Sequence, residues 1–109
     1  MPTAEHVAEL RCLCPEAQEM HEGGYVYVHL PGLKLRTGEQ TILLDALLCP
    51  QPKDGYASRL YLSQQIASRG ANWKTERILD RTWWTWSWNG VGSHLRWAEI
   101  LAEHLRALR

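Results

Sequence analysis

Arg81-Thr82-Trp83-Trp84-Thr85-Trp86-Ser87-Trp88-Asn89-Gly90 holds four of the six tryptophans of a 109-residue chain that contains no phenylalanine. Read as a strand, its side chains alternate: Thr82, Trp84, Trp86 and Trp88 share one face, and Trp83, Thr85 and Ser87 the other. Both faces then need partial cover, which places the segment inside a layered domain. With no Phe available, Trp is the bulky core filler, and its N–H still needs a hydrogen-bond partner. Trp84, Trp86 and Trp88 compete for core positions, leaving Trp83, Ser87 and Asn89 as candidates for the surface.

On the C-terminal side, Asn89-Gly90-Val91-Gly92 breaks the run and Ser93 is positioned to cap a helix. There Trp97, Ile100, Leu101, His104, Leu105 and Leu108 recur with helical period, while Arg96, Glu99, Glu103 and Arg106 fall on the wet face. On the N-terminal side, Ser58 to Ile66 alternates, with Leu60, Leu62 and Ile66 opposite Arg59, Tyr61, Ser63 and Gln65. Ala67 to Lys74 is polar, contains Gly70 and reads as a connection, with Ile78 and Leu79 leading into the tryptophans.

Thr41 to Cys49 is almost wholly apolar and lies between Gly38 and Pro50, which predicts a strand covered on both faces. Asp45 within it needs a donor or water, because an unpaired buried carboxylate is very costly. From Tyr25 to Leu30 the period is again two, and Leu33 and Leu35 can carry the strand past a bulge at Pro31-Gly32. Asp54-Gly55 marks a turn in the loop after Pro50. Thr3 caps a short helix to Leu10 or Leu13; Pro15 interrupts it, and Gly23-Gly24 links it to the first strand. The expected architecture is a single α+β domain over residues 1–109: an antiparallel β-meander of three to four strands, a C-terminal helix packed on the sheet and a short N-terminal helix.

Twelve basic residues balance twelve acidic ones, so no global field draws the chain to nucleic acid or an anionic membrane, and neither is an expected partner. No apolar run approaches the roughly 20 residues of a membrane helix, and the start lacks the pattern of a secretory signal. Together with three unpaired-looking cysteines, Cys12, Cys14 and Cys49, this gives a cytoplasmic expectation with reduced thiols. Cys12 and Cys14 could meet His6 or His21 at a metal, but no second pair follows, so neither a metal nor a cofactor is expected.

Catalytic constellations are thin. A triad could draw on Ser63 or Ser87 with His94 and Asp45 or Asp54, yet no nucleophile elbow surrounds either serine. His104, on the apolar stripe, reads as a core histidine with a satisfied ring nitrogen. Cys49 ends an apolar strand beside a loop; it is a nucleophile if accessible and if Lys53 or Arg59 lowers its pKa, and an inert buried thiol otherwise. The tryptophans, interleaved with Arg77, Arg81 and Arg96, could stack single-stranded bases, a reading the neutral chain disfavours, and Trp-rich faces with Asn, Asp and Arg also suit sugars or small ligands.

Over Ile78-Leu79-Asp80-Arg81-Thr82-Trp83-Trp84-Thr85-Trp86-Ser87-Trp88-Asn89 and the helix through Glu99-Ile100-Leu101-Ala102-Glu103-His104-Leu105, the chain resembles the bacterial relatives of ubiquitin-conjugating (E2) enzymes. These are encoded near E1-like and JAB-peptidase genes. Their motif runs Gly-Arg-x-Trp-x-x-Trp-Ser-Arg-His; Arg81, Trp83, Trp86 and Ser87 match it, and Trp88 and Asn89 replace the Arg-His pair. The resemblance spans about Glu22 to Leu108 and includes the element order and the Pro-rich loop with Tyr56. It implies a fold like that of E2 and RWD domains. Conjugating members carry a cysteine before the Trp segment, and Ser68 to Asp80 contains none. The resemblance therefore implies a non-catalytic module that binds a ubiquitin-like protein or an E1-like enzyme, with Tyr56, Arg59, Arg81, Trp83, Trp86, Ser87, Asn89 and His94 as the partner-binding set. The alternatives are an E2-like acyl carrier using Cys49, and a Trp-rich domain for a small ligand or carbohydrate. Whether the chain is an enzyme stays open at this point.

Overall fold

Alternation beginning at Tyr25 runs well past Leu30 in the computed structural model, which describes residues 3–37, 40–66, 73–86, 91–92 and 94–107. Helix α1 (Thr3–Arg11) leads into β1 (Gln18–Glu22), β2 (Tyr25–Thr37), β3 (Gln40–Cys49) and β4 (Arg59–Leu62), followed by β5 (Trp73–Ile78), β6 (Arg81–Trp86) and α2 (Trp97–Ala107). The strands form one antiparallel sheet in the order β1-β2-β3-β4-β6-β5. A register shift between Leu30 and Leu33 absorbs Pro31-Gly32, so β2 continues as one bulged strand. Asp54 and Gly55 both have positive φ, 54° and 85°, and close a tight turn bridged by Lys53 and Tyr56.

The α+β class, the N-terminal helix and the packed C-terminal helix are as the patterning predicts. The sheet has six strands rather than three or four. Both additions are edge strands: β1, in what reads as a helix-to-strand link, and β5, which begins inside the expected connection. Each is short and mostly polar, Gln-Glu-Met-His-Glu and Trp-Lys-Thr-Glu-Arg-Ile, because an outer strand can leave one face and one edge in water.

Apolar side chains divide between the two faces of the sheet. On one, Leu10 of α1 and Ile100 and Leu101 of α2 pack with Val28, Leu30, Ala46, Leu48, Leu60, Leu62 and Trp86. On the other, Tyr27, Leu47, Cys49, Tyr61, Ile78 and Trp83 form a second buried cluster, to which neither described helix contributes a residue. Cover there comes from curvature. Glu22 on β1 accepts the Leu79 N–H of the β5–β6 turn, although β1 and the β5–β6 hairpin lie at opposite ends of the strand order. The His29 and Trp83 rings meet edge to face at 6.0 Å between their centres. The helix-free face is thus concave and filled by its own aromatics.

Trp83 corrects the division of the tryptophans read from the sequence. It is among the most deeply buried side chains, 2% exposed, whereas Trp84 is only half-buried. Its indole N–H donates to the Ile78 carbonyl at 3.1 Å, and Thr85 beside it donates to the Leu60 carbonyl at 3.0 Å. A curved sheet buries both faces of β6.

Candidate functional site

The polar residues of the concave face gather around Lys53. The Asp54-Gly55 turn folds the loop after β3 back over the sheet, and Gln51 accepts the Val26 N–H at 2.7 Å, pinning that loop to β2. Lys53, 5% exposed, then donates to Asp54 Oδ2 (3.0 Å), to the Tyr61 hydroxyl (3.1 Å) and to Glu76. Its ammonium also lies 5.2 Å from the Tyr25 ring centre. All three N–H donors are occupied, so the ammonium is held charged: burial opposes this, and the Glu76, Tyr61 and Asp54 contacts outweigh it, raising the pKa. Tyr61 is moved upward by burial, and burial pushes Tyr27 up to about 12. Neither phenol is a ready base or nucleophile near neutral pH.

Arg59 extends this network. Its guanidinium stacks over Tyr56 at 4.2 Å, approaches Asp54 at 3.6 Å and donates to the Trp86 carbonyl at 3.4 Å. An open cavity of about 210 Å³ lies alongside, lined in part by Tyr25, Tyr27, Lys53 and Glu76. A second, more apolar cavity of about 120 Å³ is lined by Met20, His29, Leu79, Arg81 and Trp83.

Arg81 sits at the mouth of that second cavity, stacked over Trp83 at 4.7 Å and paired with Asp45 Oδ2 at 2.9 Å. The other Asp45 oxygen accepts the Gly32 N–H at 3.0 Å. These are the donors that the isolated carboxylate in β3 requires. The Gly32 amide and Arg81 hold the Asp45 carboxyl below the usual range. Burial holds the His29 imidazole below its ordinary pKa.

The residues singled out from sequence do not form one site. Tyr56 and Arg59 stack together at the Lys53 cluster; Arg81 and Trp83 stack at the second cavity. Trp86 lies on the helical face, 5.5 Å from Trp73 and 6.1 Å from His104 between ring centres. His94 is exposed beside Gly92, where an added Cβ would fall 2.5 Å from the imidazole. Ser87 and Asn89 lie outside the described residues, as does Ser93.

Cys49 departs from the accessible, activated thiol considered above. It is 0% exposed, with Sγ 3.7 Å from the Gln51 carbonyl oxygen. Lys53 does act on it as a cation, but burial dominates and pushes the thiol up to about 11. Its sulfur is therefore protonated and enclosed at neutral pH.

A buried Ser–His pair lies across the sheet. Ser58 Oγ donates to the Val91 carbonyl at 2.9 Å, and His104 Nε2 is 3.0 Å from Ser58 Oγ. With the hydroxyl proton committed to Val91, Nε2–H is the donor, so Nδ1 is a lone-pair site without a partner among the described residues. Burial, aided by Arg59, lowers His104 to about 4. This is the core histidine with one satisfied nitrogen that its place on the helical stripe predicts, and among the described residues no carboxylate bonds its Nδ1.

Lys53 and Glu76 were the residues least visible in the sequence. Lys53 was visible only as a cation near Cys49 and by its place before Asp-Gly; the Lys74, Glu76, Ile78 alternation that orients Glu76 lies in a strand too polar to stand out. Among the described residues no group of three or more His, Cys, Asp or Glu side chains is arranged for a metal ion. No helix among them is long and apolar enough to cross a membrane. No family model, curated protein or solved structure matches the chain.

Proposed function

We propose that this chain is a non-catalytic, E2-like protein-binding module of a bacterial ubiquitin-like pathway, holding a ubiquitin-like protein or an E1-like enzyme in the cytoplasm. The state of Cys49 carries the non-catalytic part of this reading: fully buried, with its pKa raised to about 11, it cannot present a thiolate to an incoming thioester. The Trp-Ser motif carries the E2-like part, and the order of one helix, antiparallel strands and a closing helix is compatible with it. Of the partner-binding set, half-buried Tyr56 and exposed Arg81 reach the surface, each held in place by stacking on a buried residue, Arg59 and Trp83 respectively, and aromatic and arginine side chains are enriched where proteins meet.

The test joins binding to chemistry. Titration with a ubiquitin-like protein or an E1-like enzyme encoded beside this chain is expected to change the tryptophan emission saturably. Incubation with E1-like enzyme, ATP and modifier is expected to leave the intact mass unchanged. An adduct that disappears in Cys49→Ser overturns the non-catalytic reading, and failure to bind any neighbouring gene product overturns the pathway. The sugar-binding alternative gains no support from Trp83 and Trp86, whose faces are buried and not free for stacking.

A further inference from the structure

Beyond the Lys53 cluster, β2 and β3 carry a second feature on the same side of the sheet. Register pairs Arg36 with Thr41 and Lys34 with Leu43, and Asp45 follows Leu43 on that face, two residues along β3. Leu43 is 65% exposed, one of two large apolar side chains described as exposed. Lys34 and Arg36 are exposed as well, and no ion pair engages either among the described residues. Among the described residues the one carboxylate in this band is Asp45, already bound to Arg81 and to the Gly32 amide. Arg81 in turn opens onto the cavity of about 120 Å³ floored by Met20 and Trp83.

We propose that this band docks an acidic, extended segment of a partner protein, with one aliphatic side chain of that segment seated in the Met20–Trp83 cavity. The charges specify the partner. Two free cations flank an exposed leucine, and Arg81, fixed by Asp45 on one side and stacked on Trp83, has guanidinium donors left to meet a carboxylate. The potential is also directional. Arg36, Lys34 and Arg81 lie on the hairpin side of the cavity, while Glu22 lies beyond it at Leu79. The acidic part of the segment therefore runs along β3 and the anchoring side chain ends the contact. From Thr41 to Asp45 and into the cavity, about five extended residues suffice. Main affinity comes from the buried anchor, and the cations set orientation and association rate. The assignment stands whether or not the partner belongs to a ubiquitin-like pathway.

Fluorescence anisotropy with the full chain tests it. The probe is a labelled peptide of glutamates and aspartates ending in a single leucine. Saturable binding is expected, weakened about tenfold or more in Lys34→Glu/Arg36→Glu and in Leu43→Ser, and likewise when the peptide's leucine becomes serine. All three protein positions are exposed, so unchanged tryptophan emission and thermal midpoint establish that the variants are folded. The proposal is overturned by absence of saturable binding, by equal affinity in the charge-reversed variant, or by equal binding of a lysine-for-glutamate peptide. Displacement of the peptide by a single-stranded oligonucleotide at lower concentration reassigns the band to nucleic acid and overturns it too.

Discussion

His104 illustrates how one side chain on the α2 stripe couples the core to solution pH. Its neutral imidazole fills space against Trp86 and bonds Ser58, but protonation would place an unpaired charge in a closed apolar environment with Arg59 already nearby. The folded-state pKa of about 4 lies below the ordinary value of 6.5. The unfolded chain therefore takes up the proton first as pH falls. The stabilisation is fully present above about pH 6.5, declines as pH drops toward 4, and is exhausted below that, a loss of about 3 kcal/mol over the window. His29, also held low by burial, adds in the same sense. Urea unfolding at a series of pH values should show this decline, and His104→Leu, which keeps the packing without the titrating ring, should flatten much of it. A profile unchanged in that variant would assign the acid sensitivity to other groups. The sequence placed His104 in the core through its helical spacing. It did not show Ser58 as partner, since that contact joins positions 46 residues apart.

At the scale of elements, legibility followed burial. The apolar β3 and the amphipathic α2 declared themselves because each satisfies one period over many residues. The edges β1 and β5 did not, since Glu19, His21, Lys74, Thr75 and Arg77 carry little hydrophobic pattern to read. Those edges nevertheless shape the candidate site, because Glu22 reaches from β1 to the Leu79 amide and closes the concave face. The turn it grips is strained: Leu79 and Asp80 have φ of 54° and 60°, where a bulky side chain such as leucine is uncommon. The Arg77 guanidinium donating to the Asp80 carbonyl at 3.2 Å is a second restraint. Glu22→Ala removes the acceptor at an exposed position, so its global cost is expected to be at most about 1 kcal/mol. Locally the effect is larger. Amide hydrogen exchange at Leu79 should accelerate well beyond what that global loss explains, while exchange within β3 stays slow. Equal acceleration in both places would mean that the β1 contact is a property of the whole fold and not a clasp on one hairpin.

For the whole molecule, the decisive arrangement is a sheet whose central strands bury both faces at once. Within β3, Leu47 and Cys49 belong to the concave cluster while Ala46 and Leu48 belong to the helical one; within β4, Tyr61 and Leu60 and Leu62 divide the same way. The sequence indicated two-sided burial for β3 through its unbroken apolar run. For β6 it called for partial cover on both faces but put Trp83 on the surface side, because alternation states which residues share a side and not how much cover each side receives. Curvature supplies that cover, and curvature depends on contacts between the two ends of the strand order that no local pattern records. A consequence is that neither cluster can dissolve and leave the other intact, since losing β3 or β4 removes part of both. Leu101→Ala tests this from the helical side. Leu101 is fully buried on the core side of α2, and truncating it is expected to cost about 2–5 kcal/mol. Although Leu101 lies across the sheet from Trp83, denaturant unfolding followed by a probe on Trp83 should shift by the same amount as unfolding followed on Trp86. Far-UV circular dichroism should coincide with both. If Trp83 kept its original midpoint while Trp86 moved, the two faces would be separate cooperative units, and the concave site could open without unfolding the helical core.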